Sequence, residues 1–253
     1  MVIALPAEAV AVAGRRGWRH GDGYPRRREN LPGGVELAIG ISGMGPERAC
    51  LAARRLIDDG ADALIHLGVS GGLAPQLLPG DPVIADSVLL VDEGRVRSRW
   101  QIDGELARQA GERLAARQVS AALGPIVCSP WPLFSSAMKR EFGEQFQALA
   151  VDMESAGVAM VAGEAGLPCF MLRAVCDAAN QTVPAWLFDT LNGDGSVRFA
   201  KLGGALVRRP AAVAELLRMR LRFRTACGAL REAWDFLRAS DFLSLLAGKA
   251  ARR

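Results

Sequence analysis

Six short apolar runs, rich in Val, Ile, Leu and Ala, punctuate the chain at residues 1–5, 35–41, 63–67, 81–86, 124–128 and 169–175. Runs of this length, bounded by Gly, Pro or Asp, predict buried strands. Residues 46–59 carry Ala, Leu and Arg at helical spacing and stop at Gly60, while residues 152–164, rich in Ala, Val and Met, stop before Gly166-Leu167-Pro168. Both stretches predict helices, and the first forms a βαβ unit with the runs that flank it. The alternation predicts an α/β fold: a three-layer, mostly parallel twisted sheet with helices on both faces. Ligands of such sheets bind beyond the carboxyl ends of the strands, so the residues just after each run are the candidates for chemistry. Residues 14–34, rich in Arg, Gly and Pro, predict an exposed hairpin or loop.

The end of the chain has another character. From residue 205 onward Leu216, Leu217, Met219, Leu221, Phe223, Leu230, Trp234 and Leu237 are interleaved with Arg208, Arg209, Arg218, Arg220, Arg222, Arg224, Arg231 and Arg238. This divides the chain into a domain of residues 1–204 and a basic amphipathic helical tail of residues 205–253. Such a tail either lies on an anionic membrane surface or packs on its own domain or on a second subunit.

Composition narrows the chemistry. With 253 residues, half of them hydrophobic, the chain buries one substantial core. The five cysteines are odd in number and lack a C-x-x-C pair, and only His20 and His66 exist, which argues against a disulfide framework, a zinc or other metal site, and histidine-based triads. Proton chemistry therefore falls to Asp and Glu. The net charge of +4 comes from arginine clusters without a reading motif, so nucleic acid is not an expected partner. The opening lacks a basic leader and meets Pro6 and Glu8 early, which fits a cytoplasmic location, with peripheral contact at the inner membrane face as the alternative the tail opens.

Three carboxyls stand at predicted strand ends. Asp177 follows the last run, where partial desolvation raises a carboxyl pKa far enough to hold a proton near neutrality; the bland alternative is a helix cap. Glu154 begins an apolar helix and needs a partner, either Arg173 on the next strand or a ligand hydroxyl; the alternative is a favourable first-turn charge. Glu8, after the first run, reads the same two ways. Two glycine segments, Ser42-Gly43-Met44-Gly45 and Gly68-Val69-Ser70-Gly71-Gly72, read as strand-end turns whose amides could face an anion or a sugar hydroxyl, or as turns that need glycine for steric reasons alone. Convergence of the three acids on one crevice bordered by these turns is the expectation that gives them a joint meaning.

Five segments in order resemble the nucleoside phosphorylase and nucleosidase superfamily that includes the methylthioadenosine/S-adenosylhomocysteine nucleosidases: Ala4-Leu5-Pro6-Ala7-Glu8, Ser42-Gly43-Met44-Gly45, Gly68 to Pro75 followed by Pro79-Gly80-Asp81, Ala150-Val151-Asp152-Met153-Glu154-Ser155, and Arg173-Ala174-Val175-Cys176-Asp177. The segments Ser42 to Ala49, Leu191 to Arg198 and Arg208-Arg209-Pro210 are similar to the hopanoid-associated phosphorylase branch, which the resemblance links to removal of adenine from adenosylhopane in hopanoid biosynthesis. The resemblance implies a purine/uridine phosphorylase-like fold, a homo-oligomer, and a small-molecule nucleoside substrate, here lipid-linked. It implies Asp177 as general acid at the purine N7, Glu154 at the ribose hydroxyls, Met153 on the ribose face, and Glu8 activating water with help from Arg173. Ser42, Gly43, Gly71 and Gly72 would border the substrate, and Trp131 or Phe134 would stack on the base. No cofactor is implied, inorganic phosphate being the one co-substrate left open; Val69 stands where relatives often carry a hydroxyl, which favours water as the acceptor. A methylthioadenosine-type nucleosidase and a nucleoside-binding module without turnover are the competing readings.

Overall fold

The computed structural model describes residues 1–21, 24–31, 34–209 and 211–250. The elements follow in the order β1 (Val2–Ile3), α1 (Pro6–Ala13), β2 (Arg19–Gly21), β3 (Tyr24–Asn30), β4 (Glu36–Ile41), α2 (Pro46–Asp58), β5 (Leu64–Gly72), β6 (Pro82–Asp92), β7 (Arg95–Gln101), α3 (Gly104–Ala115), β8 (Ala122–Cys128), α4 (Ser136–Phe146), β9 (Ala150–Asp152), α5 (Ser155–Ala165), β10 (Cys169–Asp177), α6 (Ala185–Phe188), α7 (Phe199–Arg208), α8 (Ala212–Ala239) and α9 (Phe242–Ala250). All six apolar runs are strands and both expected helices form. The α/β fold stands, with β4, α2 and β5 as the expected unit and β1 inserted in parallel between its two strands.

The sheet is mixed, because four strands do not announce themselves as apolar runs. β2 and β7 are polar edge strands, β7 almost wholly exposed, the polar β3 lies between β2 and β4, and β9 is only three residues long. Among the strands read from the sequence the β1–β4, β1–β5, β5–β10 and β6–β8 pairings are parallel, and only β6–β10 is antiparallel. The pairings β5–β10, β10–β6, β6–β8, β8–β9 and β9–β5 also close on themselves, making a five-stranded ring. A closed ring leaves none of its members with an open edge.

Two positions were read otherwise from the sequence. The segment Gly68 to Gly72 is the end of strand β5, not a turn after it, and every residue from Gly68 to Gly72 pairs with β10 or β9. Glycine is required at Gly68 because a Cβ there would sit 2.3 Å from Nη1 of the buried Arg173. The helix expected from residue 152 starts at Ser155, because residues 150–152 are drawn into the ring as β9.

A large apolar cluster joins Ile3, Leu67, Phe170 and Leu172 of the sheet to Ala226, Leu230, Trp234 and Leu237 of α8 and to Phe242 of α9. The second half of α8 therefore packs on the chain's own core. Its first half leaves Val213, Leu217 and Leu221 exposed. Pro210 and the last three residues of the tail lie outside the described residues, as do parts of the 14–34 loop. Among the described residues no helix is long and apolar enough to cross a membrane.

Candidate functional site

Strands β1, β5 and β10 run parallel and end at one rim of the ring. The chain leaving β1 turns at Pro6 into α1, whose first turn carries Glu8. β9 arrives antiparallel against the last residues of β5, pairing Val151 with Gly71, and so brings Asp152, Met153 and Glu154 to the same rim. On β10 the register slips between Val175 and Asp177. A slip of this kind breaks the strict alternation of a strand, so Cys176 and Asp177 both face the same space. That space is a cavity of about 680 Å³ whose walls include Glu8, Glu154 and Asp177 together. The convergence expected from the sequence is present.

Each carboxylate is held differently. Glu8 is buried and accepts the backbone N–H groups of Val69 (2.8 Å) and Leu5 (2.9 Å). Burial raises its pKa, and these two donors and the Arg173 guanidinium oppose the rise. Glu154 stands at the N-terminus of α5 but does not cap it. It accepts the N–H of Gly45 at 2.8 Å, across 109 residues of sequence. Burial, reinforced by the neighbouring Asp152 charge, pushes its pKa up to about 8. Asp177 ends β10 and no helix begins there, which removes the capping alternative. Burial raises its pKa against the pull of Lys139, whose buried ammonium is ion-paired to the Asp177 Oδ2.

Arg173 is not Glu154's partner. Its guanidinium, fully buried, forms an ion pair with Asp152, and Asp152 Oδ1 accepts the Ser155 hydroxyl at 2.7 Å. Arg173 thus lies beneath the cavity floor, neutralising Asp152 and lending positive potential to Glu8 and Glu154 without being on the wall. Four carboxyl groups (Glu8, Asp152, Glu154 and Asp177) share this region with Arg173 and Lys139, with Arg220 on the cavity wall and with Arg222, which acts on Asp177. Buried carboxyls of raised pKa in such a setting can hold protons or stabilise a positive charge. His66 takes no part: it is fully buried with Nδ1 3.0 Å from the Val2 carbonyl oxygen, and burial holds its pKa well below the ordinary value.

The other residues singled out in the sequence divide. Met153, Gly71 and Trp131 line the cavity, Trp131 at its exposed margin. Ser42, Gly43, Gly72 and Phe134 are not on its wall. Ser42 Oγ donates to its neighbour's carbonyl oxygen, Gly43 is pressed against the Gly193 carbonyl and Asp194, and Phe134 packs edge-on against Phe188, which does line the cavity. The first glycine turn offers no open anion cradle, because the N–H groups of Gly43, Met44 and Gly45 are taken by Ala4, Gly193 and Glu154.

Three features escaped the sequence reading. Lys139 reads as a solvated lysine beside Arg140 and Glu141, although it shares a helical stripe with Phe142 and Phe146, three and seven positions on, which was the available signal. Ser70, whose buried hydroxyl has no hydrogen-bond partner among the described residues, lines the cavity next to Val69. The outer wall is apolar, built by Leu187, Phe188, Phe199, Leu202, Met219 and Phe223 of α6, α7 and α8.

Solved structures with this arrangement of elements include the 5′-methylthioadenosine/S-adenosylhomocysteine nucleosidase of Helicobacter pylori (18% identity, TM-score 0.72, 97% of each chain covered). They also include the corresponding nucleosidase of Neisseria meningitidis (21% identity, TM-score 0.69, 94% of this chain and 98% of that one) and futalosine hydrolase of Helicobacter pylori (18% identity, TM-score 0.72, 97% and 96%). At these identities the likeness is one of fold. Residues 2–208 match the phosphorylase superfamily itself, four-fifths of the chain and every acid on the cavity wall, and the protein is therefore an enzyme of the phosphorylase superfamily.

Proposed function

We propose that the protein cleaves the N-glycosidic bond of a 5′-substituted adenine nucleoside, releasing adenine, and that its substrate carries a bulky apolar 5′ group as adenosylhopane does. The observation that carries this reading is the single cavity holding Glu8, Glu154 and Asp177 at one end and the α6–α8 apolar wall at the other. Cleavage passes through a sugar with oxocarbenium character and a base that leaves with the bonding electron pair. Glu154, beside Met153, binds the ribose hydroxyls and offsets the positive charge. Asp177 protonates the base at N7. Glu8 orients and deprotonates the attacking water, with Arg173 acting through its field from below the floor and Ser70 as a further hydroxyl within the cavity. Water is favoured over phosphate because the turn amides that would cradle an anion are already engaged. The wall of Phe188, Phe199, Leu202 and Phe223 takes the 5′ group, and Trp131 is the aromatic nearest to a stacking role. Phe199 on the cavity wall is exposed, as are Val207, Leu217 and Leu221 on α7 and α8, which suits either a second copy of the chain or the membrane that supplies a lipid-linked substrate.

The test is adenine release by the purified protein, followed by chromatography, with adenosylhopane and with methylthioadenosine, each with and without inorganic phosphate. The expected result is adenine from adenosylhopane at a rate independent of phosphate. Preference for methylthioadenosine would move the assignment to a small 5′ group. Ligand binding with no adenine from either nucleoside would leave a binding module in its place.

A further inference from the structure

We infer that Lys139 is the proton partner of Asp177: its ammonium holds the Asp177 carboxylate in position and passes a proton through it to the departing base. The inference rests on the nucleosidase reading above and adds a residue to it.

Lys139 comes from α4, an element that contributes no other charged group to the cavity wall, and its side chain is almost fully buried. Besides Asp177 Oδ2 its ammonium donates to the carbonyl oxygens of Gln181 (2.9 Å) and Ala178 (3.2 Å). An ammonium has three protons and here meets three acceptors, so the charged form is fully satisfied. The other charged group that acts on Asp177 is Arg222 of α8, which also favours its ionised form, and the neighbouring Cys176 thiol feels both members of the pair.

This geometry points to where the proton comes from. An Asp177 paired with a full ammonium enters the cycle as carboxylate and has no proton of its own to give. As the C1′–N bond breaks and its electron pair moves onto the base, a Lys139 ammonium proton passes to the Asp177 carboxylate and from it to N7. Lys139 is left as the amine and Asp177 again as carboxylate. Water adds to C1′ and gives its proton to Glu8. Return of that proton to Lys139 through solvent, once the base has gone, restores the starting state with no net gain or loss.

A purely structural lysine, stapling residues 178–181 to α4, would look alike in the resting protein. The two roles separate on a substrate whose base needs no proton. N7-methylated adenosine leaves as a neutral base directly, so an acid is superfluous. Lys139→Met and Lys139→Gln should each lower kcat on the unmethylated nucleoside by about 10²-fold or more, as loss of general acid catalysis does, with KM changed by less than about 3-fold. Asp177→Asn should do the same, and the double variant should be no worse than Asp177→Asn alone. All should cleave the N7-methylated nucleoside within about 3-fold of the parent protein, which also serves as their folding control. Equal losses on both nucleosides would make Lys139 structural and overturn the inference, as would an unchanged rate in Lys139→Met beside an inactive Asp177→Asn. A parent protein that releases no base from either nucleoside would instead overturn the proposed function.

Discussion

At the scale of single residues, the site is defined by carboxyls taken out of water and only partly compensated. Glu154 is the sharpest case, its pKa pushed up to about 8 from an ordinary value near 4.5 by burial and by Asp152. A carboxyl whose folded pKa is raised contributes its stability in full below the unfolded pKa, and that contribution is lost as pH climbs through the folded one. The parent protein should therefore lose melting temperature between pH 6 and pH 9, and Glu154→Gln, a neutral isostere, should lose several degrees less over the same interval. Parallel melting curves would mean that Glu154 does not titrate there. The convergence of Glu8 and Asp177 was legible in the sequence because each follows an apolar run, and Glu154 because a carboxyl opening an apolar helix needs a partner. The roles of Asp152 and Lys139 were not, because an ion pair formed across 21 or 38 positions leaves no periodicity to read.

At the scale of elements, helix-on-helix packing sets the spacing within the site. α5 crosses α2 so closely that a Cβ on Gly157 would sit 2.0 Å from the Pro46 carbonyl oxygen and 2.8 Å from the Cys50 nitrogen. These are backbone atoms and cannot swing aside. Gly157→Ala should therefore destabilise the protein by about 1–3 kcal/mol, as overpacking does, and calorimetry should show a drop of several degrees in Tm. The same change pushes apart the Gly45 amide and Glu154, so KM should rise as well. A variant with parental Tm and KM would show that the crossing is looser than drawn. The sequence predicted both helices from their spacing and punctuation. It did not disclose that they touch, since Gly157 inside a helix looks only like a weak helix former.

At the scale of the whole molecule, the distinction between domain and tail turns on α8. Its arginines and leucines gave two equal readings, because a helix that faces a membrane and one that faces a core share the same pattern until a partner is known. Trp234 settles the second half of the helix: it is 1% exposed within the main cluster. Trp234→Ala should cost about 3–5 kcal/mol, and thermal unfolding should show the loss across the entire transition if the helix is integral. A small early transition with the main one unmoved would make the tail a separable unit. The α/β class was legible from the alternation of runs. The closed ring was not, since its last link, β9, is three residues long.

That ring has one further consequence. Strands joined in a loop have no free edge along which one can slip past another, so the ring fixes Asp152 on β9 and Asp177 on β10 relative to each other, whereas Glu8 and Glu154 take their places from α1 and α5. On the proposed function, a 5′ group would meet α6, α7 and α8, which lie outside the ring. Under that reading, substitutions in the outer wall would alter which 5′ groups are accepted while leaving the Asp152–Asp177 framework in place.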